Sequence, residues 1–439
     1  MSGGGNNVTI SMPGPGWGPG WQMLWPPSFS SFQLDIVGFL AILGEGSVTA
    51  NAQISALSSL SLLPRLMPAP QALLLPTRPA TLEPTTKATV TGVFNGNGKD
   101  HIYHVAGILL SKADEMPAFS VRCVKISKNT RTPKRSPSWS DRAFRGQSTK
   151  SSARGNMQTT SEPSVKANAV GPMAYVTLLG FTLSVILFTI SIVFGDGMSL
   201  VATLSLSLLS TVTGVGNSWR LELPKRNAGF APPGDTVIKW ANGRYLVIRC
   251  DEDVARALFF APERIDYLIP SAAIYRLISL VGTLMPMLGV IALANARLEL
   301  QFAWGGAYII INALYWIAAA MPPRLHWDLS CYDVEEQGIM GGNANANFTE
   351  ALWKAIMLTK STDWVVNGNA APRTDAWKEW LHQARDRAQT AEAYKSILEK
   401  PLWPGKAPDK GVCWGVREKW DAKKAWDHII KRRRQTLCE

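Results

Sequence analysis

Few residues in this chain have the types and spacing that chemistry requires. His101 and His104 form an H-x-x-H pair, a metal site only where both imidazoles share a face. They lie among ATVTGVF, NGNGKD, HIYHVAGILL and AFSVRCVKI, which read as two or three short strands around a turn. Residues three apart on a strand point to opposite faces, so a shared metal ion is not expected. Gly96-Asn97-Gly98-Lys99 resembles the end of a phosphate loop, but the glycine five residues before Gly98 is missing. Asp100 also stands where a magnesium-binding Ser or Thr belongs. Asp251, Glu252 and Asp253 gather three carboxylates at the start of an expected helix, where acids suit the positive end of the dipole. Arg324, His326, Asp328 and Cys331 would have to converge to hold a metal, and a membrane-proximal linker is the simpler reading. No nucleophile motif, nucleotide fingerprint or metal-ligand cluster is present. No catalytic, cofactor-binding or metal residue is assigned, and no cofactor is expected.

The elements that would position a site are legible in the distribution of charge. From Ala167 to Trp219 the only charged residue is Asp196. As one straight helix, 175–216 would run roughly 63 Å, about twice the hydrocarbon thickness of a bilayer. The chain must fold back, and Gly195-Asp196-Gly197 is where it can, with the carboxylate at the far membrane surface. Spans are expected at about 173–194, with thirteen Leu, Ile, Val or Phe, and about 198–216, with seven Ser or Thr. A second pair, about 275–296 and 300–321, is separated by Arg297-Leu298-Glu299.

Ser199, Thr203, Ser207, Ser210 and Gly214 recur on one face of the second span, and Thr177, Gly180, Ser184 and Ser191 form a matching stripe in the first. Small residues let backbones approach in lipid, so these are helix-packing or pocket candidates. The alternative is that the hydroxyls bond back to their own helix. Pro286, placed to kink the third span, and Asn312, the most polar residue within the fourth, join them. Trp304 and Trp316 lie near opposite ends of the fourth span, as interfacial aromatics do.

The net charge of +12 is concentrated: residues 121–170 hold eleven Lys or Arg against Asp141 and Glu162. Four spans place both termini on one side, together with the basic stretches. By the positive-inside rule both termini and the central loop are cytoplasmic, in an endoplasmic reticulum or plasma membrane that the sequence does not distinguish. The five cysteines show no C-x-x-C and read as reduced thiols. The N-terminus lacks the features of a secretory signal peptide.

The fold class expected is a mainly α membrane protein: four transmembrane helices as two helical hairpins, a small β-hairpin/helix cytosolic loop, a helical C-terminal tail and a largely disordered N-terminus. Low-complexity sequence over 1–80 is read as disordered, 84–128 as a small β-rich segment, and 129–170 as a basic Ser-rich linker with Ser136, Ser138 and Ser140 as phosphosites. The transmembrane hairpins occupy 171–217 and 272–323. The loop 218–271 carries two β-rich runs around Asn242-Gly243, followed by a helix. The tail, 324–439, carries helices at 348–359, 375–399 and about 416–433.

The order of span pair, Pro232-Pro233-Gly234-Asp235 with its hairpin, the Cys250-Asp251-Glu252-Asp253-Val254-Ala255-Arg256 helix, second span pair and Arg324-Leu325-His326-Trp327-Asp328 resembles uncharacterised multi-span membrane proteins of filamentous fungi. The resemblance covers about 170–335 and implies a layout alone, because no known activity comes with it.

With no ionisable residue inside the spans, coupled transport is disfavoured. The leading expectation is a non-catalytic multi-pass integral membrane protein whose cytosolic loop and tail bind a partner or the membrane surface. One alternative is a membrane-embedded enzyme or accessory subunit acting on a lipophilic metabolite, with His326, Asp328 and Asn312 as its residues. Another is an oligomeric small-solute channel. The partners expected are membrane lipids, with anionic-lipid contact through 121–154 and 431–434, and an unidentified cytosolic protein. Nucleic acid is not expected.

Overall fold

The structure is a computed structural model that describes residues 45–58, 60–74, 77–84, 87–129, 165–223, 231–340, 345–391, 393–398, 411–416 and 420–436. In chain order, α1 is Glu45–Leu57, β1 Thr89–Gly92, β2 Gly98–Lys99, α2 His104–Leu109, β3 Val121–Lys128 and β4 Lys166–Ala167. Then come α3 Pro172–Val193, α4 Gly197–Asn217, β5 Trp219–Glu222, β6 Thr236–Lys239, β7 Tyr245–Arg249, α5 Glu252–Ala255 with a π turn at Arg256–Phe260, and β8 Arg264–Tyr267. The second half holds α6 Ala272–Ala294, α7 Leu298–Ala320, β9 Trp327–Asp328, β10 Tyr332–Met340, α8 Phe348–Thr359 and α9 Asp363–Asn367. It ends with α10 Asp375–Thr390, β11 Ala393–Leu398, β12 Gly411–Val416 and α11 Ala422–Thr436.

Helices α3, α4, α6 and α7 are long and apolar enough to cross a membrane, and they form two hairpins. Their outer faces expose Leu178, Ile186, Leu277, Leu284, Ile309 and Trp316, an apolar surface far larger than a water-soluble protein presents. The first hairpin turns at Phe194–Asp196, where Gly195 takes a left-handed φ of +64°. At the opposite end two short ribbons fix the helix ends. β4 pairs with β9, joining the start of α3 to the end of α7. β5 pairs with β8, joining the end of α4 to the start of α6.

That end carries an eight-stranded mixed sheet in the order β11-β12-β10-β3-β7-β6-β1-β2. Its strands come from the segment before the first hairpin, the loop between hairpins and the tail. The stretch 84–128 is therefore woven into a shared sheet. Strand alternation sends Val121, Cys123, Tyr245 and Val247 to one face, and Val124, Ile126, Leu246 and Ile248 to the other. The first face is covered by α8, α9, α10 and α11, whose Trp380, Trp364 and Ile356 are fully buried. The second face belongs to one continuous core with Leu187, Leu206, Leu293 and Trp304 of the spans.

Several local expectations differ from the structure. His104–Leu109 is helical, because the buried carboxylate of Glu263 accepts from Val105 N at 2.9 Å and caps the first turn. The helix expected over 375–399 stops at Thr390, and 393–398 instead forms an edge strand paired antiparallel with β12. The strand β10, unforeseen in the tail, pairs antiparallel along β3. Trp304 points into the bundle, 1% exposed, with its indole N–H donated to Thr203 Oγ1 at 3.3 Å; Trp316 is exposed.

The largest difference lies in the stretch 1–80. Residues 1–44 are outside the described residues, but 45–58 and 60–74 are ordered. α1 packs on α7, with Asn51 Nδ2 donating to Tyr315 O. The chain then dips between the spans as irregular backbone ending in a 3₁₀ turn at Pro70–Leu73. Leu66 N donates to Gly180 O, eight residues past Pro172 and so about 12 Å along α3. Ala69 N donates to the hydroxyl of Tyr308, near the middle of α7. Non-helical backbone at membrane depth persists only where protein groups satisfy it. Here Pro64, Pro68 and Pro70 bring no N–H to satisfy, and α4 supplies partners for much of the rest.

Candidate functional site

The hydroxyl stripe of α4 is used along its whole length. Ser199 Oγ lies 2.8 Å from Ser191 Oγ, and Ser207 Oγ donates to Ser184 Oγ at 3.1 Å. Thr203 receives the Trp304 indole. Ser210 Oγ accepts from Arg65 N at 2.9 Å, and Gly214 lies directly against Ser61 O. Several hydroxyls also bond back to their own helix, as Ser184 does to Gly180 O and Thr203 to Ser199 O. One stripe therefore joins α3, α7 and the inserted segment 60–74.

Asp196 answers for its own presence. It is 4% exposed. Its Oδ1 accepts from Met198 N and Ser199 N, capping α4, and its Oδ2 accepts from Arg297 N at 2.7 Å. One carboxylate thus pins the turn of the first hairpin to that of the second, with fixed amides in place of the water or headgroups expected around it. Asp196→Ala should cost about 2 kcal/mol, a helix cap plus a charge-assisted hydrogen bond. The readout is the thermal midpoint of the detergent-solubilised protein. Asp196→Asn, keeping one acceptor oxygen, should lose about half as much. An unchanged midpoint in Asp196→Ala would refute the pinning role.

At the sheet-side end of the bundle a cavity of about 460 Å³ opens between α1, the inserted segment, the end of α4 and the β5–β8 ribbon. Arg65 and Arg78 line it with Asn217, Trp219 and Tyr267. Arg65 is 2% exposed. Its Nη2 donates to Ser55 Oγ at 2.9 Å and its Nη1 to the carbonyls of Leu60 and Ser61. Its Nε has no partner, and no carboxylate pairs with it among the described residues. Arg78 donates to Gly216 O at 3.0 Å and Ile269 O at 2.7 Å, with its guanidinium carbon 4.1 Å from the ring centres of both Tyr267 and Tyr275. Glu83, the one carboxylate on the wall, is exposed. The sequence hid this site, since Arg65 sits in a proline-broken stretch that reads as disordered. A lone arginine among apolar residues and prolines was its only signal.

The other residues singled out from sequence stay apart. Pro286 is half-buried within α6, which continues through it. Asn312 is half-buried on α7, and its Oδ1 finds no partner among the described residues. His326 Nε2 contacts Ala318 O at 3.0 Å, and burial lowers its pKa; Asp328 Oδ1 accepts from Ser330 N. His101 pairs with Asp100, while the His104 ring stands edge-on to Trp327. Asn95 Nδ2 donates to Glu252 of the acidic helix start. Burial pushes the Glu263 carboxyl up to about 7, opposed by the Val105 and His104 amides. Among the described residues no three His, Cys, Asp or Glu gather as metal ligands. Cys123, Cys250 and Cys331 are free and buried. Asn347 caps α8 through Glu350 N.

Four apolar helices in two hairpins, docked to a mixed sheet, define a multi-pass integral membrane protein. Comparison with protein-family models, curated proteins and solved structures finds no match to the chain.

Proposed function

We propose that the protein is a non-catalytic, multi-pass membrane protein that acts by binding, with its sheet domain in the cytosol facing a partner protein or the membrane surface. The observation that carries this reading is the shared sheet. Strands from before, between and after the hairpins make spans and domain one folded body, so the domain is presented at a fixed height and orientation. The basic stretches support a cytosolic placement and contact with anionic lipid. Of 121–154, however, 121–128 is the interior strand β3, and 130–164 lies outside the described residues. At the other end Arg432 and Arg433 pair with Glu379, leaving Lys431 and Arg434 exposed beside them.

Proximity labelling from a ligase fused after Glu439 tests the reading in cells expressing the full chain. The expected result is a recurrent set of cytosolic proteins, absent from a control in which the same ligase is carried by an unrelated four-span protein. Labelling of lumenal proteins alone would overturn it.

A second reading, an enzyme or accessory subunit acting on a lipophilic metabolite, draws on the cavity and on the unpaired Asn312 Oδ1. Asn312→Leu separates the two. Removing an unsatisfied buried oxygen is near neutral, so binding predicts normal abundance, a midpoint within about 1 kcal/mol of wild type and an unchanged metabolite profile. Loss of a product at normal abundance would favour the enzyme.

A further inference from the structure

We propose that the arginine-walled cavity at the sheet-side end of the bundle binds the phosphate group of an anionic amphiphile, whose apolar body lies along the spans. This goes beyond the partner-binding reading, which would stand if the cavity proved empty of such a ligand.

Four observations converge on it. Arg65 is buried at membrane depth with neutral hydrogen-bond partners only, and its Nε is unpartnered. Desolvating a guanidinium without a counter-charge is costly, and such a residue inside a membrane protein marks a site by default. Arg78 reaches the same cavity, held by two carbonyls and two tyrosine rings, again without a carboxylate among the described residues. Two fixed guanidiniums suit a phosphate, whose oxygens accept paired N–H donors. The remaining wall mixes apolar and aromatic side chains such as Ala52, Leu73 and Trp219 with the polar Gln53 and Asn217 and the exposed carboxylate of Glu83, and the volume of about 460 Å³ exceeds what an inorganic ion needs. Position completes the case: the cavity lies where α4 leaves the bundle for the β5–β8 ribbon, at the end of the spans, where a lipid phosphate would lie above its acyl chains.

The test uses the full chain purified in neutral detergent. Thermal midpoints and native mass spectra are recorded with added phosphatidic acid, with phosphatidylcholine and with inorganic phosphate. Phosphatidic acid should raise the midpoint and remain bound in the spectrum, whereas phosphatidylcholine should do neither. Arg78→Gln should weaken phosphatidic acid binding about tenfold, the size of one lost charge-assisted hydrogen bond. Ala52→Phe, which fills the cavity and keeps both charges, should abolish it. If inorganic phosphate alone reproduces the shift, the natural occupant is a soluble phosphate. If only the lipid does, it is a headgroup. Equal stabilisation by phosphatidylcholine would overturn the proposal. Wild-type binding by a folded Arg78→Gln protein would do the same, since it would assign the effect to the basic stretches outside the cavity.

Discussion

Glu336→Ala is expected to destabilise the protein by about 3–5 kcal/mol, the cost of stranding a buried partner charge. Arg122 Nη1 lies 2.8 Å from Glu336 Oε1, and the two side chains are 7% and 4% exposed. They stand on neighbouring strands β3 and β10, beside the register shift between Glu336 and Gly338. Arg122 Nε has no partner to fall back on. The pair also joins parts of the chain that lie before the first hairpin and after the second, so its loss opens the sheet at the centre. Denaturant unfolding of the solubilised protein measures the loss. Arg122→Met combined with Glu336→Leu should recover most of it, because apolar replacements leave no charge behind. A loss under about 1 kcal/mol in Glu336→Ala would place the pair in water.

Gly214→Ala is expected to cost about 3 kcal/mol or more. A Cβ there would stand 2.2 Å from Ser61 O and 3.0 Å from Ser61 C, both backbone atoms that no rotamer change can move. The inserted segment must retreat from α4, and the bonds from Arg65 N to Ser210 and from Thr211 to Leu62 O go with it. Gly180→Ala should act alike, since its Cβ would meet Leu66 O at 2.6 Å. Gly306→Ala is the control: nothing lies within 4 Å, so the better helix former should be neutral or stabilising. Equal midpoints for Gly214→Ala and Gly306→Ala would show that segment 60–74 does not rest on α4.

The spans were legible because lipid imposes a long run without charge, and one acidic residue between glycines marks the turn. The helix Phe348–Thr359 was legible for local reasons too, with Asn347 as its cap and apolar residues at helical spacing. The elements not legible in the sequence depend on distant partners. HIYHVAGILL is an apolar run that suits strand or helix equally, and Glu263, over 150 positions away, decides the matter. β10 reads YDVEEQGIM, with acids that look solvent-facing until Arg122 is placed beside Glu336. Segment 60–74 carries the prolines of a disordered stretch, and partners on α3, α4 and α7 together show why its backbone tolerates burial. The small-residue stripe was visible; the chain that fills its groove was not.

The strand order also dictates a sequence of events during synthesis. β3 leaves the ribosome before either hairpin exists, whereas β10 and β12 follow only after both have been delivered to the bilayer. The interior strand must therefore wait, one edge unpaired, until insertion is complete. A nascent chain that stalls or terminates before residue 332 displays that edge to the aqueous side, the kind of surface that promotes aggregation and recruits chaperones. Closure of the sheet at β3 thus requires chain that follows both hairpins.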